Sequence, residues 1–175
     1  PSIVISFSGN IDSNTGTYTA NRTAVRIGDI GELILRGEYK EGGDLSIDVS
    51  SNNVNYSSMV DILHNIVGIK IPQISGKGSL LASLKRTADG DKTSATGTVL
   101  IQRGSIRLEE PQIFAEGNSL SITFNYNELL NQKEMKTFLF LKDAHIKSGA
   151  LDQTVSMVDI QGNLTFAKDV VRLES

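Results

Sequence analysis

The chain alternates. Leu45-Ser46-Ile47-Asp48-Val49-Ser50 sets an apolar residue at every second position, and Leu120-Ser121-Ile122-Thr123-Phe124-Asn125-Tyr126 continues the same rule for longer. Successive side chains of a strand leave opposite faces, so each run makes a strand with one apolar and one polar face. A helix would scatter the same residues around its circumference. Ile106-Arg107-Leu108-Glu109 and Leu164-Thr165-Phe166 are shorter examples. Ile3 to Phe7, Leu33 to Leu35, Val99 to Ile101, Phe138 to Leu141 and Val155 to Ile160 read as further strands. Some of these are apolar on both faces, which predicts local cover by another element.

Turn signals separate the runs. They are Gly9-Asn10, Asn14-Thr15-Gly16, Gly42-Gly43-Asp44, Asp89-Gly90-Asp91, Gly117-Asn118 and Gly162-Asn163. Gly and Asn supply the positive φ angles that tight reversals need. Strands joined by such short turns predict an all-β, curved antiparallel meander, not a parallel α/β sheet. One amphipathic helix interrupts it over 58–67. There Met59, Ile62, Leu63, Ile66 and Val67 share a face, with Ser58 as N-cap, Asp61 near the start and Gly68 as the stop. Glu128 to Glu134 is open to a second short helix or a loop.

At 175 residues the chain suits one domain, 1–175, with a sizeable core. Hydrophobic residues at 39% and charged residues at 21% fit a folded protein. The net charge of −3 argues against a general binder of nucleic-acid backbones. With no cysteine, disulfides, thiolate metal sites and cysteine nucleophiles are excluded. No stretch carries the roughly 18 consecutive apolar residues of a membrane-spanning helix. Pro1 in place of an initiator Met points to a piece of a longer protein.

Little here looks like chemistry. Gly76-Lys77-Gly78-Ser79 has the composition of a phosphate cradle but not its spacing. No glycine stands at the required distance before Lys77, and Gly78 occupies the place of the Ser or Thr. Glycines entering a strand serve a bulge or a close backbone approach instead. His64 and His145 have no second histidine at metal-binding spacing, so neither implies a metal, and no cofactor is expected. No G-x-S-x-G elbow accompanies them. Glu109 and Glu110 are adjacent on a strand and point apart, which disfavours shared acid–base work. Asp89-Gly90-Asp91 lacks the rest of a calcium loop and reads as a hairpin turn. Asn21-Arg22-Thr23, Asn55-Tyr56-Ser57 and Asn163-Leu164-Thr165 fit the glycosylation sequon, which matters only in a eukaryotic secretory setting. Aromatics at 6%, with no Trp, give little support to base stacking, and nucleic acid is not an expected partner.

The apolar strand face itself remains. Leu45, Ile47, Val49, Ile106, Leu108, Leu120, Ile122, Phe124, Leu164 and Phe166 would line the concave side of a curled sheet. Such a face is either an ordinary closed β core or an open groove for acyl chains, which need continuous apolar contact and no hydrogen bonds.

The stretch IPQISGKGSLLASLKRTADGDKTSATGTVLIQRGSIRLEEPQIF resembles the C-terminal region of the AsmA-like superfamily, which includes the TamB and YdbH proteins of Gram-negative envelopes. An apolar helix, Met59 to Val67, precedes a G-x-G-x-L strand, Gly76 to Leu80. A G-T-V-x-I-x-x-G-S-I-R-L stretch, Gly97 to Leu108, follows as a strand pair broken by a glycine turn. The resemblance implies a non-enzymatic module of a long envelope bridge. The parent would be anchored in the inner membrane and would conduct phospholipid or another acyl-chain lipid through the periplasm along an apolar groove. Membrane contact would come through other parts of the parent, and envelope proteins would be further partners. Lys77 would stand at the groove rim near lipid headgroups. Two other readings of the residues stay open: a structural or adhesive β module that binds protein through its sheet edges, and a hydrolase using His64 or His145.

Overall fold

The computed structural model describes residues 2–67, 72–109, 112–129, 132–167 and 170–174, and their side chains except at 62–67, 132, 163–167 and 170–174. The chain forms ten strands and one helix: β1 (Ile3–Asp12), β2 (Thr17–Ile27), β3 (Gly31–Lys40), β4 (Leu45–Asn55), α1 (Tyr56–Val67), β5 (Gln73–Arg86), β6 (Lys92–Leu108), β7 (Ile113–Leu129), β8 (Gln132–Ser148), β9 (Leu151–Ala167) and β10 (Val170–Glu174). Spatial order equals sequence order from β1 to β10, and every neighbouring pair is antiparallel. The meander is as the alternation predicts. Its sheet is open and uncurled, with β1 and β10 as its two edges, so the apolar side is a broad face and not a wrapped channel.

Several turn signals lie inside strands instead of ending them. Gly9-Asn10, Gly117-Asn118 and Gly162-Asn163 fall within β1, β7 and β9. The glycine turn expected between Gly97 and Leu108 is absent as well, because β6 runs unbroken through both residues. Strands β6 to β9 consequently reach 17 residues each, against a usual length of about 5–6. Of the segment Glu128 to Glu134, the described residues are strand, with Glu128 and Leu129 at the end of β7 and Gln132 to Glu134 at the start of β8. Glu128, next to last in β7, pairs with Lys133 of β8, with Nζ to Oε1 at 3.2 Å, and its other oxygen accepts a bond from the Tyr126 hydroxyl at 2.9 Å. These bonds hold both carboxylate oxygens in a hairpin geometry.

The interior glycines and asparagines mark a line of bulges. In β6 the buried positions Ile101 and Gly104 are three apart, and in β8 so are Leu141 and Ala144. Strand alternation has period two, so each spacing holds one residue more than alternation allows; the registers to β7 and β9 do not shift, because those strands break alternation at the same level, and only β5 meets β6 with a shift, between Ser75 and Lys77. The extra residues are Arg103 and Asp143, at φ 51° and 50°. Asn118 of β7 sits between them in the register and donates to Asp143 Oδ2 at 3.2 Å. Strand β4 has its register shift on the same line, between Ser51 and Val54. Across from Arg103, Gly76 of β5 adopts φ 118°, and a Cβ there would overlap the Ile101 side chain. The phosphate-like glycine is thus a backbone device at the bulge line.

Helix α1 starts at Tyr56, two residues before its expected start at Ser58. Asn55 closes β4 by donating its N–H to the Ile30 carbonyl at 2.8 Å, and the chain turns into the helix at once. Ser58 is therefore inside the first turn, and no acid occupies that turn. The expected stop, Gly68, lies outside the described residues. Tyr56 anchors the helix. Its side chain is buried, and its hydroxyl donates to the Ser79 carbonyl at 2.7 Å. Burial disfavours the phenolate and pushes the Tyr56 pKa from 10.0 up to about 12. A raised pKa contributes stability that is full below the ordinary value and is lost as pH rises through the folded one. Alkaline unfolding should accordingly steepen between pH 10 and 12. Tyr56→Phe should lose that limb in a pH titration of folded fraction, at a cost of about 1 kcal/mol near neutrality.

Candidate functional site

Cross-strand pairs share a face, so the register can be followed across the sheet. One row runs Phe7, Thr23, Leu35, Val49, Ala82, Gly97, Phe124, Thr137 and Gly162, from β1 to β9. A second runs Leu80, Val99, Ile122, Leu139 and Ile160, and a third Ile101, Leu120, Leu141 and Val158. Leu45 and Ile47 pair with Tyr39 and Gly37 on one side and with Arg86 and Leu84 on the other. Ile106 pairs with Ile74 and Ala115, and Leu108 with Ile113. The expected lining residues from Leu45 to Phe124 therefore share one side of one sheet. Leu164 pairs with Met135 and Phe166 with Lys133, while their side chains lie outside those described.

Among the described residues, every contact between elements joins sheet neighbours or sets α1 on β4 and β5. Among these residues no second sheet covers the apolar side, and they do not form a closed sandwich core. The centre is nevertheless well packed. Ile101, Leu120, Leu141 and Ala144 are buried next to the bulge line, with Val54, Tyr56 and Ile30, and Leu80, Val99, Ile122 and Leu139 pack against them. Away from this centre the face opens. Ile3, Ile5, Phe7, Ile11, Tyr18 and Tyr39 are exposed on the β1–β3 flank, and Leu151 and Ile160 on the β9 flank. At ~4.8 Å per strand the face is ~45 Å wide.

The β1–β3 flank was not among the expected lining residues, although Ile3-Val4-Ile5-Ser6-Phe7 carries the same alternation. It holds a depression of about 290 Å³, lined by Phe7, Ile11, Tyr18, Leu35, Tyr39 and Ile47 among others. The Tyr18 and Tyr39 rings stack there, with centroids 5.9 Å apart and planes at 29°. Farther along, the Phe124 ring lies across Gly97, where a Cβ would come within 2.5 Å of it. The Thr137 hydroxyl lies on the same row, buried without a hydrogen-bond partner.

Lys77 is not at a rim. It sits within β5, paired with Asn55 and Gln102, exposed on the polar side of the sheet next to Gly78. His145 is also on the polar side, within β8. Its Nε2 lies 2.5 Å from Asp152 Oδ1, and its Nδ1 lies 3.6 Å from Glu116 Oε1. The imidazole thus bridges β7 to β9, and its hydrogen bond holds the Asp152 carboxyl below the usual carboxylate range. This clasp joins residues far apart in sequence, which is why spacing alone missed it. His64 belongs to α1, with its side chain outside those described. Asp89-Gly90-Asp91 forms the β5–β6 hairpin as expected. The Asp89 carboxylate accepts bonds from the Thr87 hydroxyl at 2.5 Å and from the Asp91 N–H at 3.0 Å.

No family model, curated protein or solved structure matches this chain. The apolar face is broad, continuous from β1 to β9, and exposed on the β1–β3 and β9 strands.

Proposed function

We propose that the apolar face receives the acyl chains of phospholipids, and that this chain is a passive lipid-conducting module of a larger bridge in the bacterial envelope. One observation carries the reading: among the described residues an apolar sheet face spans the strands, and α1 alone lies on it. Water is excluded poorly from such a face, and each Å² covered by an acyl chain contributes about 25 cal/mol. A hydrocarbon tail asks for no hydrogen bonds, so it can slide from row to row without breaking any. Headgroups stay in water beyond the apolar strip. The likeness of Gly76 to Leu80 and Gly97 to Leu108 to AsmA-like sequences supports the envelope setting.

Organic extraction and native mass spectrometry of the purified chain should recover bound phospholipid. Photo-crosslinking to lipid should fall severalfold in Ile122→Asp and Phe124→Asp, with circular dichroism confirming an intact sheet. Unchanged crosslinking in folded variants would sink the assignment.

A further inference from the structure

The charges of the apolar side are gathered in one row. Among the described residues, the strands set only Arg86, Glu128 and Lys133 on that side. The pairings Arg86 with Thr93, Thr93 with Glu128 and Glu128 with Lys133 place them side by side at one hairpin end of the sheet. Tyr18 and Tyr39 begin the same row, joined to Arg86 through Leu45. A tyrosine has an apolar ring and a polar tip, so it suits the line where apolar surface meets water. At the other end of the strands, the row Ile74, Ile106, Ala115, Ile146 and Gln153 carries no charge. The apolar side therefore has a polar end and an apolar end, as an amphiphile does.

One cation of the charged row is in surplus. Lys133 is matched by Glu128, with Nζ to Oε1 at 3.2 Å, and the Tyr126 hydroxyl holds the second carboxylate oxygen at 2.9 Å. Arg86 enters no ion pair among the described residues. Its guanidinium lies against Gly90 of the β5–β6 hairpin, where a Cβ would come within 2.9 Å of Nη2. Nearby acids are bonded by the chain itself. Asp89 accepts from the Thr87 hydroxyl and the Asp91 N–H, and Asp44 from the Ala88 N–H. Arg86 and the hydroxyl of its cross-strand neighbour Thr93 thus combine a fork of N–H donors with an O–H, a donor set that matches phosphate oxygens.

We infer that Arg86 and Thr93 bind the phosphate of a phospholipid, which makes this hairpin end the headgroup end of the site and rests on the face taking acyl chains as proposed. Charge complementarity selects that occupant. A surplus cation at the edge of an apolar face matches an anion attached to hydrocarbon. The chains then extend from the charged row toward Leu84, Ala95 and Tyr126, the next row inward.

The test uses delipidated chain with short-chain phosphatidylcholine, the diacylglycerol with the same chains, and inorganic phosphate. Phosphatidylcholine has no net charge, so a preference for it does not report the overall charge of the protein. Titration calorimetry with monomeric lipid should show the phospholipid bound about tenfold more tightly than the diacylglycerol, as one charge-assisted hydrogen bond provides. Arg86→Gln should bring the phospholipid down to the diacylglycerol level, and Arg86→Lys should keep part of the difference. Thr93→Val should reduce it severalfold. Lys77→Gln, the same loss of charge on the polar side, should leave it whole. Circular dichroism checks that each variant keeps its sheet. Equal binding of the two lipids by the native chain, or a preference that survives Arg86→Gln, overturns the headgroup site while the acyl-chain reading stands. Binding of neither lipid overturns both. Inorganic phosphate held without lipid would make this a free-anion site and overturn the assignment as well.

Discussion

Replacing Gly78 with valine is expected to destabilise the fold by about 2–3 kcal/mol, even though valine is the better strand former. Two effects oppose each other. Strand propensity favours valine over glycine by up to about 1 kcal/mol in a sheet interior. Against this, a Cβ on Gly78 would overlap the Leu100 carbonyl oxygen and lie 2.8 Å from Ile101 Cα, both in β6. These are backbone atoms held on the far side by β7, so they cannot rotate away as a flexible side chain would. Strands β5 and β6 would have to separate where the chain is most closely packed. Steric overlap wins because it scales steeply with distance while propensity does not. Urea unfolding should show the loss as a lower midpoint with little change in slope. A variant as stable as the native chain would refute the close-approach role of Gly78.

Leu120→Asp should have a larger effect still, exceeding about 4 kcal/mol and unfolding much of the population. Leu120 is 0% exposed, between Ile101 and Leu141. A carboxylate there would have apolar cross-strand neighbours on both sides and no cation among them, so it would protonate or force the sheet open. Leu120→Ala should cost about 2–5 kcal/mol by leaving a cavity. Ile160→Asp is the matched contrast. It lies on the same apolar side at 55% exposed, and the change should be nearly neutral. Thermal melts of these three variants separate a packed centre from an open flank. Equal losses at Leu120 and Ile160 would mean that the face is uniformly buried.

The alternation of Leu45–Ser50 and Leu120–Tyr126 was legible because period two is a local property of a strand. It placed the meander and put Leu45 to Phe124 of the expected lining on one side. Glycine was ambiguous for a physical reason. A tight turn and an interior bulge both ask for positive φ or close approach, so Gly117-Asn118 and Gly162-Asn163 looked like chain reversals. Asn14-Thr15-Gly16 and Asp89-Gly90-Asp91 are real reversals with the same composition. What distinguishes them is the partner strand: β7 and β9 keep pairing on either side of their glycines. Relations between distant strands were invisible for the same cause. The Glu116–His145–Asp152 clasp and the Tyr18–Tyr39 stack exist only once register is set. Lys77 looked like a rim cation because its place along β5 could not be read from Gly76 and Gly78 alone.

The order β1 to β10 has a mechanical consequence. Among the described residues, each strand touches only the strands before and after it in sequence, apart from the seat of α1 on β4 and β5. A tension applied to the two ends therefore peels the outermost strand from its neighbour, loading the ladder bonds a few at a time and not all in shear. The chain should yield in a series of hairpin-sized steps at low force. Resistance should concentrate where the long ladders β6 to β9 meet the packed centre around Leu120, so the protein gives way at its flanks first and holds longest at its middle.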